Sequence, residues 1–298
     1  MRVFDLHGVF RWWSGPEHAS PNADRVFPAG AERSNPERGT TMEHALTPEE
    51  KKLLVRVQWE GLKFVAYQGS FGMFRETWIK KLYDLPGFQI GPGMNIVDIG
   101  AHQGFFAIYA AQKGATVHAY EPQEFLYKVL QYNFASNKEN GQLPGVVRAH
   151  NRAVWNACEE IPIYIPSKWP RRCANASTSS DLVETDELFF KTGEYTESSV
   201  PAVSLDSIFE EGRIETCEFL KMDCEGSEFE ILRVASDDTW RKIERLAMET
   251  HEGYQEQTML DLLRDHDFEI LIQEPREGRL PYGFVKAVKK QILAAQNN

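Results

Sequence analysis

The chain has few cysteines and no long apolar run. Its 298 residues include four cysteines, and no two of them form a C-x-x-C pair, which argues against a disulfide framework and a structural zinc site. No stretch reaches the roughly 18 apolar residues that cross a bilayer. Charged residues interrupt the first positions, where a signal peptide would need an apolar core. These features predict a cytoplasmic protein without a membrane span.

Positive charge is also scarce. The chain has 33 basic and 44 acidic residues, which gives a net charge of -11. A negative protein repels a phosphate backbone, so we expect no nucleic-acid partner. A small-molecule or carrier-linked ligand fits this composition better, and assembly into a homo-oligomer stays open.

Composition divides the chain into three regions. Residues 1–46 are rich in Pro, Gly, Ser and charge, which predicts a flexible or loosely attached leader. Thr47-Pro48-Glu49-Glu50 is typical of a helix start with a capping box. We therefore expect an N-terminal helical cap over residues 47–90, with an inward face of Leu53, Leu54, Val57 and Leu62. The remaining residues, 91–298, are expected to form the catalytic domain.

Residues 91–298 alternate between short apolar runs and helical patterns. Such alternation predicts an α/β fold with a mainly parallel sheet covered by helices on both faces. The predicted strands are residues 94–99, 116–120, 146–149, 219–222, 246–248, 268–272 and 282–288. An insertion near residues 152–205 breaks the rhythm, and it is either a substrate-recognition segment or a surface loop.

A glycine turn follows the first predicted strand, in Val97-Asp98-Ile99-Gly100-Ala101-His102-Gln103-Gly104. Glycines allow the backbone to turn tightly and to approach a ligand. Glu121 ends the next strand, about twenty residues on, where a carboxylate accepts hydrogen bonds from ribose hydroxyls. The G-x-x-x-G spacing suits a dinucleotide less well than S-adenosylmethionine (SAM), which has no phosphate.

The predicted cofactor site gathers residues from the ends of several strands. The alternative is that the glycines only end a strand and that Glu121 is a solvated acid. The combination of the glycine turn, Asp98 and Glu121 favours a ligand site instead. Residues 151–154 either contact adenine or turn the chain. The predicted cofactor-binding residues are Asp98, Gly100, Ala101, His102, Gly104, Glu121, Asn151, Ala153 and Asp223.

Charged residues alternate at the ends of two later strands. Lys221, Asp223 and Glu225 alternate along one strand and its exit, and Glu249 and His251 alternate after another. We predict Lys221, Asp223, Glu249 and His251 as catalytic residues, with His251 or Asp223 as the general base. Asp223, Glu249 and His251 also offer a ligand set for a divalent cation such as Mg²⁺. A structural Lys–Asp ion pair, or a helix cap by Asp223, is the alternative.

Substrate contacts are harder to find in the sequence. Arg171 and Arg172 offer recognition of an anionic group on the acceptor, although short basic runs are commonly solvated surface. Glu225 is the third residue predicted to bind substrate. His102 is a competing base, or a loop residue beside the cofactor.

Two motifs resemble the FkbM-type SAM-dependent methyltransferases. They are Val97-Asp98-Ile99-Gly100-Ala101 and Phe219-Leu220-Lys221-Met222-Asp223-Cys224-Glu225-Gly226-Ser227-Glu228. Further agreement lies in Val203-Ser204-Leu205-Asp206-Ser207-Ile208 and in Met248-Glu249-Thr250-His251. The resemblance covers about residues 90 to 290.

The resemblance implies a class I methyltransferase Rossmann-like fold with a seven-stranded sheet, and SAM as methyl donor. It also implies a hydroxyl acceptor on a sugar, lipid-linked or natural-product molecule. An N-methyltransferase needs the same donor site, and a noncatalytic SAM-binding protein is a further alternative. The acceptor itself does not follow from fold and cofactor motif.

Overall fold

The computed structural model describes residues 3–5, 46–67, 69–166, 195–251, 256–274 and 283–296. The strands in these ranges are β1 (Val3–Asp5), β2 (Leu54–Trp59), β3 (Leu62–Tyr67), β4 (Asn95–Ile99), β5 (Thr116–Tyr120), β6 (Val146–His150), β7 (Ala153–Val154), β8 (Glu160–Pro166), β9 (Tyr195–Val203), β10 (Phe219–Met222), β11 (Arg245–Thr250), β12 (Phe268–Glu274) and β13 (Gly283–Lys289).

The same ranges contain nine α-helices. They are α1 (Pro48–Lys52), α2 (Phe71–Phe74), α3 (Phe105–Gln112), α4 (Glu124–Glu139), α5 (Leu205–Gly212), α6 (Glu228–Arg233), α7 (Asp237–Lys242), α8 (Glu256–Asp265) and α9 (Lys290–Gln296). A π-helical turn, Arg75–Ile79, continues α2. No helix in the described ranges is long and apolar enough to cross a membrane.

A seven-stranded sheet forms the centre of the molecule, in the order β12-β13-β11-β10-β4-β5-β6. The five strands from β11 to β6 run parallel, and β13 is antiparallel to both its neighbours. The predicted mainly parallel seven-stranded sheet is confirmed. Because β4 and β10 are adjacent and parallel, the glycine turn and the second motif leave the same edge of the sheet side by side.

Apolar side chains cover both faces of this sheet. One core contains Ile96, Phe106 and Phe219, together with nearly all of α3. The other contains Val97, Leu220 and Trp240, and it is closed by α5, α7 and α8. The buried strands read as continuous apolar runs because helices cover both faces of a parallel sheet.

The predicted helical cap over residues 47–90 is wrong for its larger part. The capping box of Thr47 and Glu50 is present, but α1 ends at Lys52 and an antiparallel hairpin, β2–β3, follows. Glu60 and Gly61 connect the two strands with φ angles of 49° and 85°. Two such residues form the type I′ turn that suits hairpins. Alternating Val, Trp and Phe residues outweighed the helix signal, because they fit a half-buried pleated surface.

Side-chain amides attach the hairpin to α4. Asn133 accepts a hydrogen bond from the Val65 backbone N–H at 2.8 Å and donates to the Val65 carbonyl at 2.9 Å. Asn137 makes the same pair of contacts with Lys63, both at 2.8 Å. The helix thus satisfies backbone groups along the free edge of β3.

The predicted leader and the insertion also contain strands. Val3–Asp5 of the predicted leader pairs in parallel with β2, and the other residues before Leu46 lie outside the described residues. In the insertion, β8 pairs with β9 and β9 with β7, so both ends of the segment form a small separate sheet. Arg171 and Arg172 lie outside the described residues.

Candidate active site

A cleft opens at the carboxyl edge of the sheet, beside β4 and β10. It encloses about 590 Å³, including the part open to solvent. The strand ends, the glycine turn and one N-terminal residue form its wall. The residues that line it are Met73, Ile99, Gly100, His102, Tyr120, Glu121, Pro122, Gln123, Ala153, Val154, Asp223, Cys224, Glu225 and Ser227.

The glycine turn is shaped by the close approach of two strand ends. Gly100 has a φ of +72°, and a Cβ at this position would lie 1.8 Å from the Asp223 carbonyl oxygen. The N–H groups of Gly100 and Ala101 both donate to the Tyr120 carbonyl, at 3.1 and 2.9 Å. His102 also adopts a left-handed conformation, with a φ of 52°. Gly104, with a φ of +81°, begins α3.

Glu121 connects the glycine turn to the start of α4. Its carboxylate accepts hydrogen bonds from the backbone N–H groups of His102 at 2.9 Å and Gln123 at 2.8 Å. Burial raises the pKa of Glu121 to about 7, although these two hydrogen bonds lower it. Each carboxylate oxygen accepts one of the two bonds, so each keeps a lone pair for a ligand hydroxyl.

Asp98 and Lys221 form a buried ion pair behind the turn. The Lys221 ammonium lies 3.1 Å from Asp98 Oδ1 and donates to the Gly100 carbonyl at 2.8 Å. Burial lowers the pKa of Lys221, but the two carboxylates of Asp98 and Asp223 outweigh this and raise it. Neither side chain of the ion pair is part of the cleft wall described above. The pair therefore supports the turn from behind.

The other predicted cofactor residues take two positions. Ala153 lines the cleft, beside Val154. Asn151 donates to the carbonyls of Glu121 and Pro122, both at 2.9 Å, and so holds the backbone that carries Glu121. Ala101 is buried within the turn.

Three predicted catalytic side chains meet beside the cleft, which one of them, Asp223, lines. Asp223, Glu249 and His251 each offer a ligand atom, and these atoms lie within 4.8 Å of one another. Asp223 follows β10, and the other two belong to or follow β11. Parallel pairing of β10 with β11 brings the three together. Such a set suits either proton transfer or a divalent cation.

His251 lies between two carboxylates. Its Nδ1 is 3.0 Å from Glu228 Oε1, and its Nε2 is 3.3 Å from Glu225 Oε2. Burial lowers the pKa of His251, but Glu228 and Glu225 outweigh this and raise it well above its ordinary value. The raised pKa favours the imidazolium form, and an imidazolium neither accepts a proton nor ligates a metal.

Glu249 is held in its neutral form. Burial raises its pKa well above the ordinary value, and the charge of Asp223 adds to the effect. Two carboxyl groups that share a site cannot both ionise easily. Asp223 is the member of the cluster that also lines the cleft, which makes it the group best placed to accept a proton there.

The residues of this site lie in a part of the chain that matches a known protein family. The model of the methyltransferase FkbM domain matches residues 98–270. These include the glycine turn, Glu121 and the acidic cluster formed by Asp223, Glu249 and His251. The chain belongs to the FkbM methyltransferase family. It is therefore a SAM-dependent methyltransferase, and the predicted resemblance is confirmed.

Two methyltransferases are similar to about two thirds of the chain. The chain is 25% identical over 218 residues to 31-O-demethyl-FK506 methyltransferase FkbM of Streptomyces tacrolimicus, covering 68% of this chain and 83% of the relative. It is 27% identical over 219 residues to methyltransferase sdnD of Sordaria araneosa, covering 66% and 82%. Magnesium protoporphyrin IX methyltransferase of Synechocystis PCC 6803 with bound SAM is more distant, with 13% identity, a TM-score of 0.37 and coverage of 67% and 71%.

The residues of the cleft fit SAM. A buried acidic side chain, Glu121, provides acceptors for ribose hydroxyls next to a turn in which Gly100 leaves the backbone exposed. Among the described residues, none that lines the cleft is a Lys or an Arg. A dinucleotide pyrophosphate would favour such a cation. In this FkbM methyltransferase, Gly100, His102 and Glu121 would hold the donor.

Three residues near the acidic cluster were not predicted from the sequence. Met73 lines the cleft from the segment before the matched region, and Glu76 contributes a negative charge that raises the pKa of Glu249. The Tyr83 hydroxyl donates to Asp223 Oδ2 at 3.1 Å. No local pattern marks these residues, because their contacts join positions more than a hundred residues apart.

Proposed function

We propose that this FkbM-family chain transfers a methyl group to a hydroxyl oxygen of a small-molecule, sugar or natural-product acceptor. One observation supports it: an acid, Asp223, lines the same cleft as Glu121 and the glycine turn. A hydroxyl acceptor must lose a proton, and a carboxylate there can accept it. The relative whose name specifies 31-O-demethyl-FK506 also supports an oxygen acceptor.

The residues of the chain divide the work between binding and proton transfer. When bound, SAM supplies an electrophilic methyl group on a good leaving group. Glu121 accepts hydrogen bonds from ribose hydroxyls, and the turn at Gly100 lets the backbone approach the donor. Asp223 accepts the hydroxyl proton of the acceptor. His251 contacts Glu228 and Glu225, and Glu225 forms part of the wall of the cleft.

A divalent cation at Asp223, Glu249 and His251 is a second candidate. The cluster of ligand atoms within 4.8 Å supports it. Metal binding would require His251 to lose its proton and at least one of its carboxylate contacts, and Glu249 to ionise. Treatment with EDTA followed by Mg²⁺ tests this candidate, because a metal-assisted enzyme loses activity and regains it, whereas base catalysis by Asp223 is unaffected.

Calorimetric titration with SAM and with S-adenosylhomocysteine tests the donor site. Binding of both is expected, and failure to bind either contradicts the assignment. Methyl transfer is then screened with 31-O-demethyl-FK506 and other hydroxylated molecules, each beside an analogue with an amine in place of the hydroxyl. The amine arm matters because carboxylates surround the site. Faster transfer to the amines would replace the proposed reaction with N-methylation.

An Asp223→Asn variant tests the proposed base. We expect kcat to fall by roughly 10²-fold to 10⁴-fold, the usual contribution of general base catalysis. Asp238→Asn, in an exposed ion pair of α7, is the matched control and should leave kcat unchanged. An active Asp223→Asn enzyme would remove this carboxylate from the mechanism.

The described cysteines, Cys158, Cys217 and Cys224, are free, which supports a reducing cytosol as the compartment.

A further inference from the structure

Tyr83 reaches the acidic cluster from outside the part of the chain that matches the family model. It precedes the matched residues 98–270. Its hydroxyl donates to Asp223 Oδ2 at 3.1 Å, across 140 positions of sequence. The N-terminal region therefore contributes a polar contact to the group proposed as the base.

The ring of Tyr83 is fixed by its surroundings. Its centre lies 5.4 Å from that of Phe106 and 5.5 Å from that of Phe284, and the side chain is buried. The Lys221 ammonium lies 5.4 Å from the ring centre on a cation–π contact. A phenol held in this way loses little further freedom when its hydroxyl donates a hydrogen bond.

The phenol remains a donor at neutral pH. Burial raises the pKa of Tyr83 well above its ordinary value, and the charge of Asp223 raises it further. A neutral phenol next to an ionised carboxylate makes a charge-assisted hydrogen bond, which is stronger than one between neutral groups.

The contacts of Asp223 are unequal between its two oxygens. Tyr83 donates to Oδ2, and the Lys221 ammonium also approaches Oδ2, at 3.9 Å. Within the described ranges, no side-chain hydrogen bond or ion pair is formed by Oδ1 of Asp223. One oxygen is thus held by the protein, and the other is available to a ligand.

We propose that Tyr83 is a positioning residue, whose hydroxyl holds Asp223 Oδ2 so that Oδ1 is presented to the acceptor hydroxyl. The inference rests on the proposed function, because it concerns the group that accepts the acceptor's proton. It gives the N-terminal region a part in orienting the base, in addition to lining the cleft through Met73.

Tyr83→Phe removes the hydroxyl and keeps the ring. We expect kcat to fall about 10-fold to 100-fold, the effect of losing a hydrogen bond to a charged group. KM for the best acceptor of the screen and the dissociation constant of SAM should change by less than about threefold, because the contact orients the base and binds neither ligand. Tyr109→Phe is the matched control: its hydroxyl donates to Asp84 at 2.8 Å, in the same aromatic cluster but away from Asp223.

A double-mutant cycle separates positioning from a general loss of packing. In the Asp223→Asn background, Tyr83→Phe should cause no further fall in kcat, because the base that it orients is absent. An equal fall in both backgrounds would mean that Tyr83 acts through the fold, and would overturn the proposal.

A spectroscopic test needs no acceptor. In protein labelled with ¹³C at the aspartate carboxyl carbon, the Asp223 resonance is assigned by its disappearance in Asp223→Asn. At one fixed neutral pH it should move in Tyr83→Phe and stay in Tyr109→Phe. An unmoved resonance overturns the contact, and a moved resonance with unchanged kcat overturns the positioning role. A wild-type chain that binds SAM but methylates no acceptor refutes the proposed function, while the resonance still decides the contact.

Discussion

At Gly100 the constraint on a single residue is steric. The carbonyl oxygen of Asp223 occupies the space that a side chain at position 100 would need, and the backbone there is left-handed. The sequence pattern predicted a tight turn at this glycine, which the structure confirms. What the pattern lacked is the identity of the obstacle, since Asp223 follows a strand more than a hundred residues later in the chain.

We expect Gly100→Ala to destabilise the chain by more than about 4 kcal/mol, because its Cβ meets a backbone atom that cannot move aside. Gly93→Ala is the matched control. Gly93 has a similar φ of +81°, with nothing within 4 Å of the added Cβ, so only the conformational cost of about 1–2 kcal/mol applies. Urea denaturation measures both free energies of unfolding. Equal losses would show that the close approach is unimportant.

SAM affinity should depend on pH through Glu121. Ribose hydroxyls favour the ionised carboxylate, whose pKa in the chain without ligand is about 7. Affinity is therefore expected to rise roughly tenfold between about pH 6 and pH 8. Calorimetry across this range measures it, and Glu121→Gln should bind weakly with no such dependence. A wild-type affinity that is independent of pH would contradict the assigned role.

The raised pKa of Glu121 makes SAM affinity rise with pH but makes the stability of the fold fall. Between its ordinary pKa of 4.5 and the raised value of about 7, the folded chain holds a proton on Glu121 that the unfolded chain has lost. The contribution of Glu121 to the free energy of unfolding is complete below this window and falls as the pH rises through it.

Among the elements, the hairpin β2–β3 departs furthest from the prediction. The sequence correctly indicated where α1 begins, since a capping box is a local signal. It did not indicate that the helix stops after five residues. That choice depends on α4, whose Asn133 and Asn137 satisfy the backbone of β3 from a distant part of the chain.

Removal of Asn133 should loosen the hairpin. The Asn133 side-chain amide forms hydrogen bonds with the Val65 N–H and carbonyl. It also donates to the Gln103 carbonyl at 3.1 Å. We expect Asn133→Ala to lower the free energy of unfolding by about 3 kcal/mol, because three buried backbone groups lose a partner. Gln131→Ala, on the exposed side of α4, should change it by less than about 0.5 kcal/mol. Denaturant unfolding of the two variants decides the matter.

Across the whole molecule, the N-terminal hairpin and the methyltransferase sheet share one core. Val57, Leu62 and Phe64 pack in the same cluster as Ile96 and Phe106. The region before the matched domain is therefore part of the fold, and through Tyr83 it also reaches the acidic cluster.

We expect the hairpin and the sheet to unfold together. Native-state hydrogen exchange should give amides of β3 and β4 opening free energies that agree within about 1 kcal/mol. An exposed amide of α1, which buries no residue, serves as the comparison and should exchange far sooner. Exchange of β3 amides at a much lower free energy than those of β4 would show that the hairpin is an independent unit.

The sequence alone determined the family, the parallel sheet and the glycine turn that borders the cleft. These follow from local signals, because a glycine turn and the residues at a strand's end keep the same relation wherever the strand lies. Tertiary structure decided the chemistry of the acidic cluster. The charge on His251, the proton on Glu249 and the hydroxyl at Asp223 depend on burial and on neighbours from distant segments, and no spacing along the chain records the distances between them.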